Sequence, residues 1–189
     1  MNIKNIGMFT LLSLVLWLVI FIYWVIRSRD RGILNEIAGL LKLFLSGSIL
    51  HIPAFFGIHF LSYTLPRPVM IAALFLLFCG FAFCIAAREY LAFNWSGKVA
   101  IQENHKLVKG GPYKIVRHPV YLGVLVMMTG TSIIIGNIFG FVWVLFCFFG
   151  LFRKSKQEEE LLVKEFEGAY EQYKKETKMI IPFVLGVFR

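Results

Sequence analysis

Hydrophobic residues in this chain fall in long unbroken blocks, not at the short periods of a surface helix or strand. Residues 8–26 form one such block, and about 20 apolar residues at 1.5 Å rise suffice to cross a bilayer. A second block lies within residues 33–60 and is interrupted by Lys42, Ser46, His51 and Pro53. It places a span over residues 37–56, with a kink or early exit at Pro53. Residues 68–87 form the third block. Residues 119–135 form the fourth, opened by a proline that suits a first helical turn. The fifth, residues 139–152, is short and aromatic, and the tight Gly136-Asn137 turn before it makes the fourth and fifth a hairpin. The pattern predicts an all-α integral membrane protein with about five transmembrane helices and a cytoplasmic C-terminal amphipathic helix.

That last helix is expected over roughly residues 157–175. Leu162, Phe166, Ala169, Tyr170 and Tyr173 share one stripe at helical spacing. Glu160 with Lys164, and Glu171 with Lys175, are i,i+4 pairs in the favoured order. Glu158, Glu159 and Glu160 would occupy the first turn, where acids suit the macrodipole, so a plain helix start is one reading of them beside a functional one. Ile181-Pro182-Phe183 is an apolar strip able to dock on the bundle. The chain divides into residues 1–93, with three spans, and residues 94–189, with a polar loop, the hairpin and the C-terminal helix.

Composition agrees. The 189 residues are 58% hydrophobic and 16% charged, where soluble domains carry about a quarter charged. The formal charge of +9 raises nucleic acid as a partner, but the basic residues sit in short loops between spans. There they set topology and meet anionic lipid headgroups, so membrane lipids, not nucleic acid, are the expected contacts. Cations follow the first, third and fifth blocks, which puts the N-terminus outside and the C-terminus in the cytoplasm. The apolar run over residues 6–26 exceeds the ~7–15 residues of a signal-peptide core and reads as a retained span. Cys79, Cys84 and Cys147 lie inside apolar blocks with neither zinc nor disulfide spacing, so they read as small hydrophobes and no metal site is expected.

Polar groups beside hydrocarbon are costly unless paired, so dense polar clusters there mark sites. Residues 105–123 (HKLVKGGPYKIVRHPVYLG) form one and residues 153–160 (RKSKQEEE) another, bracketing the hairpin. Glycines at 110 and 111 let backbone approach a ligand, and Pro112 fixes the turn. Tyr113 and Tyr121 offer rings for stacking, and Arg117-His118-Pro119 sits at a helix N-terminus, where free amides favour anions. His51 and His59 read as structural or interfacial, Arg88 and Glu89 as an interface anchor, and Lys98 and Glu103 as solvated loop charges. Trp95 suits an aromatic belt as well as a pocket wall.

Asn94-Trp95-Ser96, His105-Lys106-Leu107-Val108, Gly111-Pro112-Tyr113, Arg117-His118-Pro119, Tyr121 and Gly123 resemble the isoprenylcysteine carboxyl methyltransferase family. Glu158 to Leu162, Phe166, Tyr170, Tyr173 and Ile181-Pro182-Phe183 resemble its C-terminal pattern. The resemblance covers residues 94–183, about half the chain, and the first two spans carry no part of it. It implies a membrane methyltransferase that uses S-adenosyl-L-methionine at a cytoplasmic pocket, with a lipophilic or prenylated substrate entering from the bilayer. It implies that His105, Lys106, Leu107 and Val108 line the nucleoside, and that Gly111, Tyr113, His118 and Tyr121 pack around the cofactor. Glu159 or its neighbour Glu158 would hold the methionyl ammonium or the ribose hydroxyls. Arg117 is either a ligand of the cofactor carboxylate or a tie to the acidic helix, and Arg153 would orient the acceptor carboxylate. A carboxylate acceptor is already ionised at pH 7 and needs no general base. The alternatives are a phospholipid-amine N-methyltransferase, with His118 as base, a nicotinamide-dependent lipid reductase, and a non-enzymatic membrane scaffold.

Overall fold

The computed structural model describes residues 3–28, 45, 47–52, 63–91 and 107–182. Most of the second expected span, including Pro53, lies outside them, as do His59, Trp95, Lys98 and Glu103. Four apolar helices are described: α1 (Ile3–Ser28), α2 (Arg67–Leu91), α3 (Pro119–Ile135) and α4 (Ile138–Glu176). The segments Gly7–Arg27, Arg67–Leu91 and Ile138–Glu176 are long and apolar enough to cross a membrane. The fourth, α3, has 17 residues, about 26 Å of helix against about 30 Å of hydrocarbon. The all-helical membrane class expected from the hydrophobic blocks is the one observed.

Two boundaries follow local chemistry. Pro119 opens α3 without losing an intrahelical donor, and Gly136 closes it at φ 67°, a left-handed conformation that favours glycine. The Asn137 side chain then accepts from the amide of Phe139 and caps α4.

The C-terminal helix differs from expectation. The fifth span and the soluble helix are one element, α4, of 39 residues. Residues 151–166 contain neither glycine nor proline, so the change from apolar to polar marks the edge of the hydrocarbon and not the end of a helix. The backbone breaks only at Glu167, where φ is 41° and ψ is −128°. Glu158 to Glu160 therefore lie some 20 residues from the helix N-terminus, and the macrodipole does not explain them. Neither predicted i,i+4 pair forms an ion pair among the described residues; Lys154 and Glu158 do, at 3.8 Å. Tyr170 and Tyr173 are buried as the stripe suggested, Leu162 and Phe166 half-buried, and Ala169 exposed.

Helices α2 and α3 form the tightest pair. Small residues permit it: a Cβ on Gly80 would stand 2.7 Å from the Gly123 carbonyl, and one on Gly130 would stand 2.7 Å from the Ala73 carbonyl. Around this seam Trp17, Met70, Leu77, Met127 and Met128 are buried. Two pairs of buried polar groups meet between segments, as hydrocarbon favours. Trp17 Nε1 donates to Thr131 Oγ1 at 3.0 Å, and Ser13 Oγ and His51 Nε2 share a hydrogen bond of 2.7 Å. By contrast, Phe141, Val142, Leu145, Phe146 and Phe149 on α4 are exposed, a surface suited to lipid.

The helix ends sort onto two sides. Arg27 at the end of α1 meets Glu89 at the end of α2 at 3.3 Å, and Tyr23 donates to the same carboxylate. Cys84 Sγ, near that end of α2, donates to Val120 in the first turn of α3. At the other side the Tyr63 amide donates to the Gly136 carbonyl at 2.7 Å. One side of the bundle thus holds the end of α2, the start of α3 and the polar part of α4.

The seam makes a direct prediction. Gly130→Ala, which forces a methyl into the Ala73 backbone, should cost about 1–3 kcal/mol by overpacking and lower the Tm in detergent. Gly7→Ala, with nothing within 4 Å, should leave Tm unchanged or raise it. Equal effects would show that α2 and α3 are not in close contact.

Candidate functional site

The segment before α3 is built around the protein's own tyrosines. Gly111 has φ 54°, and a Cβ there would fall 2.5 Å from the Tyr90 ring, so both conformation and space call for glycine. Residues Gly111–Lys114 form a single 3-10 turn. Tyr113 is buried in the bundle core, and its carbonyl accepts from Tyr173 Oη at 2.5 Å. Lys109 Nζ donates to the Ala169 carbonyl at 3.1 Å. Residues beyond the break at Glu167 therefore pack onto this segment.

The C-terminal residues then run beside it. The Arg117 amide donates to the Lys178 carbonyl at 2.8 Å, and the His118 amide to the Met179 carbonyl at 2.9 Å. Met179 and Ile180 are buried against Leu125. Docking of the apolar tail thus occurs two residues earlier than the strip at 181–183; Ile181 and Pro182 are half-buried and Phe183 is outside the described residues.

At the centre is a buried ion cluster. Arg117 Nε donates to Glu159 Oε1 at 2.7 Å and Nη2 to Oε2 at 3.2 Å, a bidentate pair. Arg117 Nη1 also donates to the carbonyls of Lys174 and Thr177. The two side chains are 1% and 5% exposed, so each charge depends on the other. His118 immediately precedes α3 and lies between two carboxylates: Nε2 is 3.3 Å from Glu159 and Nδ1 3.4 Å from Glu158. Its ring stacks on Tyr121, 5.5 Å between centroids with an interplanar angle of 2°. Tyr121 Oη donates to Glu158 Oε1 at 2.5 Å, and Lys154 Nζ stands 5.4 Å over the Tyr121 ring. Glu159 can be buried mid-helix because it faces Arg117 and His118, which lead into α3.

These contacts set the charges. Burial pulls His118 down, but hydrogen bonds and charge from Glu158 and Glu159 outweigh it and hold the imidazole above its ordinary 6.5. Burial pushes both carboxyls up, while His118, with Lys154 and Tyr121 at Glu158 and with Arg117 at Glu159, holds them below 4.5.

The structure brings Arg117, His118, Tyr121, Glu158 and Glu159 together. Leu107 and Val108 are half-buried nearby in sequence, Gly111 faces Tyr90, and Tyr113 is enclosed in the core rather than presented to a ligand. His105 and Lys106 lie outside the described residues. Arg153 is exposed and, at 100° per residue, about 120–140° around α4 from the two glutamates, away from the cluster. Its neighbour Lys154 reaches the cluster instead. Sequence reasoning missed Lys154, Lys174 and Thr177. The i,i+4 spacing of Lys154 and Glu158 was a readable signal, whereas the backbone carbonyls at 174 and 177 left none.

Membrane-length helices that carry a buried, mutually neutralising ion cluster where a helical hairpin leaves the bilayer define a polytopic membrane protein with a built site at one membrane face. The family model for the isoprenylcysteine carboxyl methyltransferase (ICMT) family matches residues 69–164, from the start of α2 to the acidic part of α4. This match takes in half of the chain, and the chain belongs to that family. It is 38% identical over 96 residues to the protein-S-isoprenylcysteine O-methyltransferase of Schizosaccharomyces pombe, covering 48% of this chain and 40% of that one. It is 36% identical over 84 residues to the Dictyostelium discoideum protein of the same name, covering 43% and 35%. The Mus musculus protein is 37% identical over 87 residues, covering 45% and 30%. The chain thus spans less than half the length of these curated relatives. Among solved structures it resembles that of the eukaryotic intramembrane Ras methyltransferase ICMT, with TM-score 0.63 and 22% identity over 88% of this chain and 62% of the other. That likeness speaks to fold.

Two outcomes test the cluster. Arg117→Ala removes the bidentate partner of a buried carboxylate and should cost about 3–5 kcal/mol in unfolding experiments, while Arg117→Ala/Glu159→Ala should cost less than the single variant. A double variant as unstable as the sum of the singles would mean the pair is not coupled. Stability should also depend on pH. The contribution of His118, raised in the fold, is full below about 6.5 and lost as pH rises through its folded value. The contribution of the depressed carboxyls is present above about 4.5 and lost as pH falls through theirs. Tm should therefore peak between these limits, and His118→Gln should flatten the alkaline side.

Proposed function

We propose that this chain is an integral-membrane, S-adenosyl-L-methionine-dependent methyltransferase that esterifies the carboxylate of a prenylcysteine-like lipophilic acid. The observation that carries the reading is family membership over the very residues that form the ion cluster, from α2 through Glu159. The basic ends of α1 and α2 and the start of α3 share one side, which supports a cytoplasmic site with the N-terminus outside. Residues 94–189 then carry the chemistry, and the lipophilic substrate reaches it from the bilayer.

The donor set suits the cofactor. Glu158 keeps 19% of its side chain exposed, beside the stacked His118 and Tyr121 rings, and offers a carboxylate and aromatic faces to a cationic amino-acid ligand. Glu158 is the acid that would meet the methionyl ammonium or ribose hydroxyls; Glu159, committed to Arg117 and His118, positions the site. Arg117 likewise holds α4 and the C-terminal segment in place instead of binding a ligand carboxylate. Backbone at Leu107 and Val108, with His105 and Lys106, would line the nucleoside. When bound, S-adenosyl-L-methionine supplies an electrophilic methyl group. The chain's own work is to align the acceptor carboxylate and exclude water, since that carboxylate is already ionised at neutral pH. Lys154, at the membrane edge and 38% exposed, takes the acceptor-orienting role in place of Arg153.

Isothermal titration of the detergent-solubilised protein tests this, with S-adenosylhomocysteine and NADPH in parallel. Saturable binding of the thioether, lost in folded Glu158→Gln, is the expected result, together with methyl transfer to a prenylcysteine acid. Lys154→Gln should raise KM for that acid and leave thioether binding intact. NADPH binding without thioether binding would assign a reductase. Folded protein that binds neither would be a scaffold.

A further inference from the structure

A second feature lies on the other flank of Glu159. A cleft of about 540 Å³ opens between α4 and the C-terminal segment, lined by Lys156, Glu159, Glu160, Val163, Lys164, Lys174 and Met179. None of residues 107–121 lines it, so it is separate from the His118–Tyr121–Glu158 face. Lys156, Glu160, Val163 and Lys164 recur at i, i+4, i+7 and i+8 and form one stripe of α4. Lys174 comes from beyond the Glu167 break.

Three lysines, Lys156, Lys164 and Lys174, line this space. Of the two carboxylates, Glu159 is already neutralised by Arg117 and His118 and also meets Lys174 at 3.8 Å, which leaves Glu160 at the rim as the one opposing charge. The cleft therefore favours an anion. Its height relative to the bilayer is set by Lys156, whose Nζ stands 4.8 Å over the ring of Phe152, the last apolar residue of the α4 block. Four residues of helix place Lys156 about 6 Å beyond Phe152, the depth of a headgroup layer. Lys164 and Lys174 back it from the aqueous side. A free phosphate would have no reason to find its cations graded along the membrane normal, while a headgroup phosphate arrives there by diffusion in the leaflet. We propose that this cleft is a binding site for the phosphate of an anionic glycerophospholipid headgroup, separate from the methyl-transfer site and independent of that reading.

The test measures thermal unfolding of the full chain in detergent micelles carrying short-chain phosphatidylglycerol, phosphatidylcholine or free glycerol phosphate. A ligand that binds only the folded state raises Tm in proportion to its occupancy. Phosphatidylglycerol should raise Tm over phosphatidylcholine in the unaltered protein, and Lys156→Gln/Lys164→Gln should at least halve that increment. Lys114→Gln/Lys175→Gln removes the same charge from exposed positions outside the cleft and should preserve it. An increment that falls equally in both double variants would reduce the effect to net charge and overturn the site. The same increment from glycerol phosphate would make it a soluble-anion site. Loss of S-adenosylhomocysteine binding in the Lys156/Lys164 variant would give the cleft to the cofactor. Each of those three results contradicts the proposal.

Discussion

The bidentate Arg117–Glu159 pair is the interaction on which the polar half of this protein depends. A carboxylate 5% exposed in the middle of a helix is untenable alone, and so is a guanidinium 1% exposed at a helix start. Together they join the three elements that meet at the membrane edge. Arg117 leads into α3, Glu159 belongs to α4, and the same guanidinium binds the carbonyls of Lys174 and Thr177. His118 extends the arrangement to Glu158, and Tyr121 and Lys154 complete it. The result is a polar platform in which one acid, Glu158, keeps contact with solvent.

The membrane half supplies the position. Helix α3 lies against α2 through glycines whose replacement would strike backbone, so the register of its first residue is fixed by packing some ten residues deeper. Because α3 and α4 join through the Gly136-Asn137 turn, fixing α3 also fixes where α4 emerges. The charged cluster therefore sits where the hairpin leaves the apolar layer. The lysine-lined cleft beyond Glu159 uses the same geometry on the opposite flank.

Much of this was legible in the chain. Block hydrophobicity located α1, α2 and α3, and Pro119, Gly136 and Asn137 marked ends that the structure keeps. The density of polar residues at 105–123 and 153–160 pointed to the two segments that meet. What composition could not convey was continuity. A shift from Phe152 to Arg153 resembles a helix boundary, yet no residue there stops a helix, and α4 runs on. That one error lent Glu158 to Glu160 a first-turn explanation beside the cofactor-binding one. It also hid the azimuth that separates Arg153 from Lys154, since direction around a helix is defined only once the helix is known to be continuous. A ring beside a Gly-Gly-Pro turn suggests exposure, yet Tyr173 and the bundle enclose Tyr113, a burial that no local pattern announces.

Amide hydrogen exchange, read by mass spectrometry on the detergent-solubilised protein with and without S-adenosylhomocysteine, tests the central claim most directly. If the platform built on Arg117 and Glu159 forms the cofactor site, binding should slow exchange in residues 107–121 and 154–163 and leave residues 67–87 unchanged. Protection confined to other helices, or none in the 107–121 segment while the ligand is bound, would contradict it.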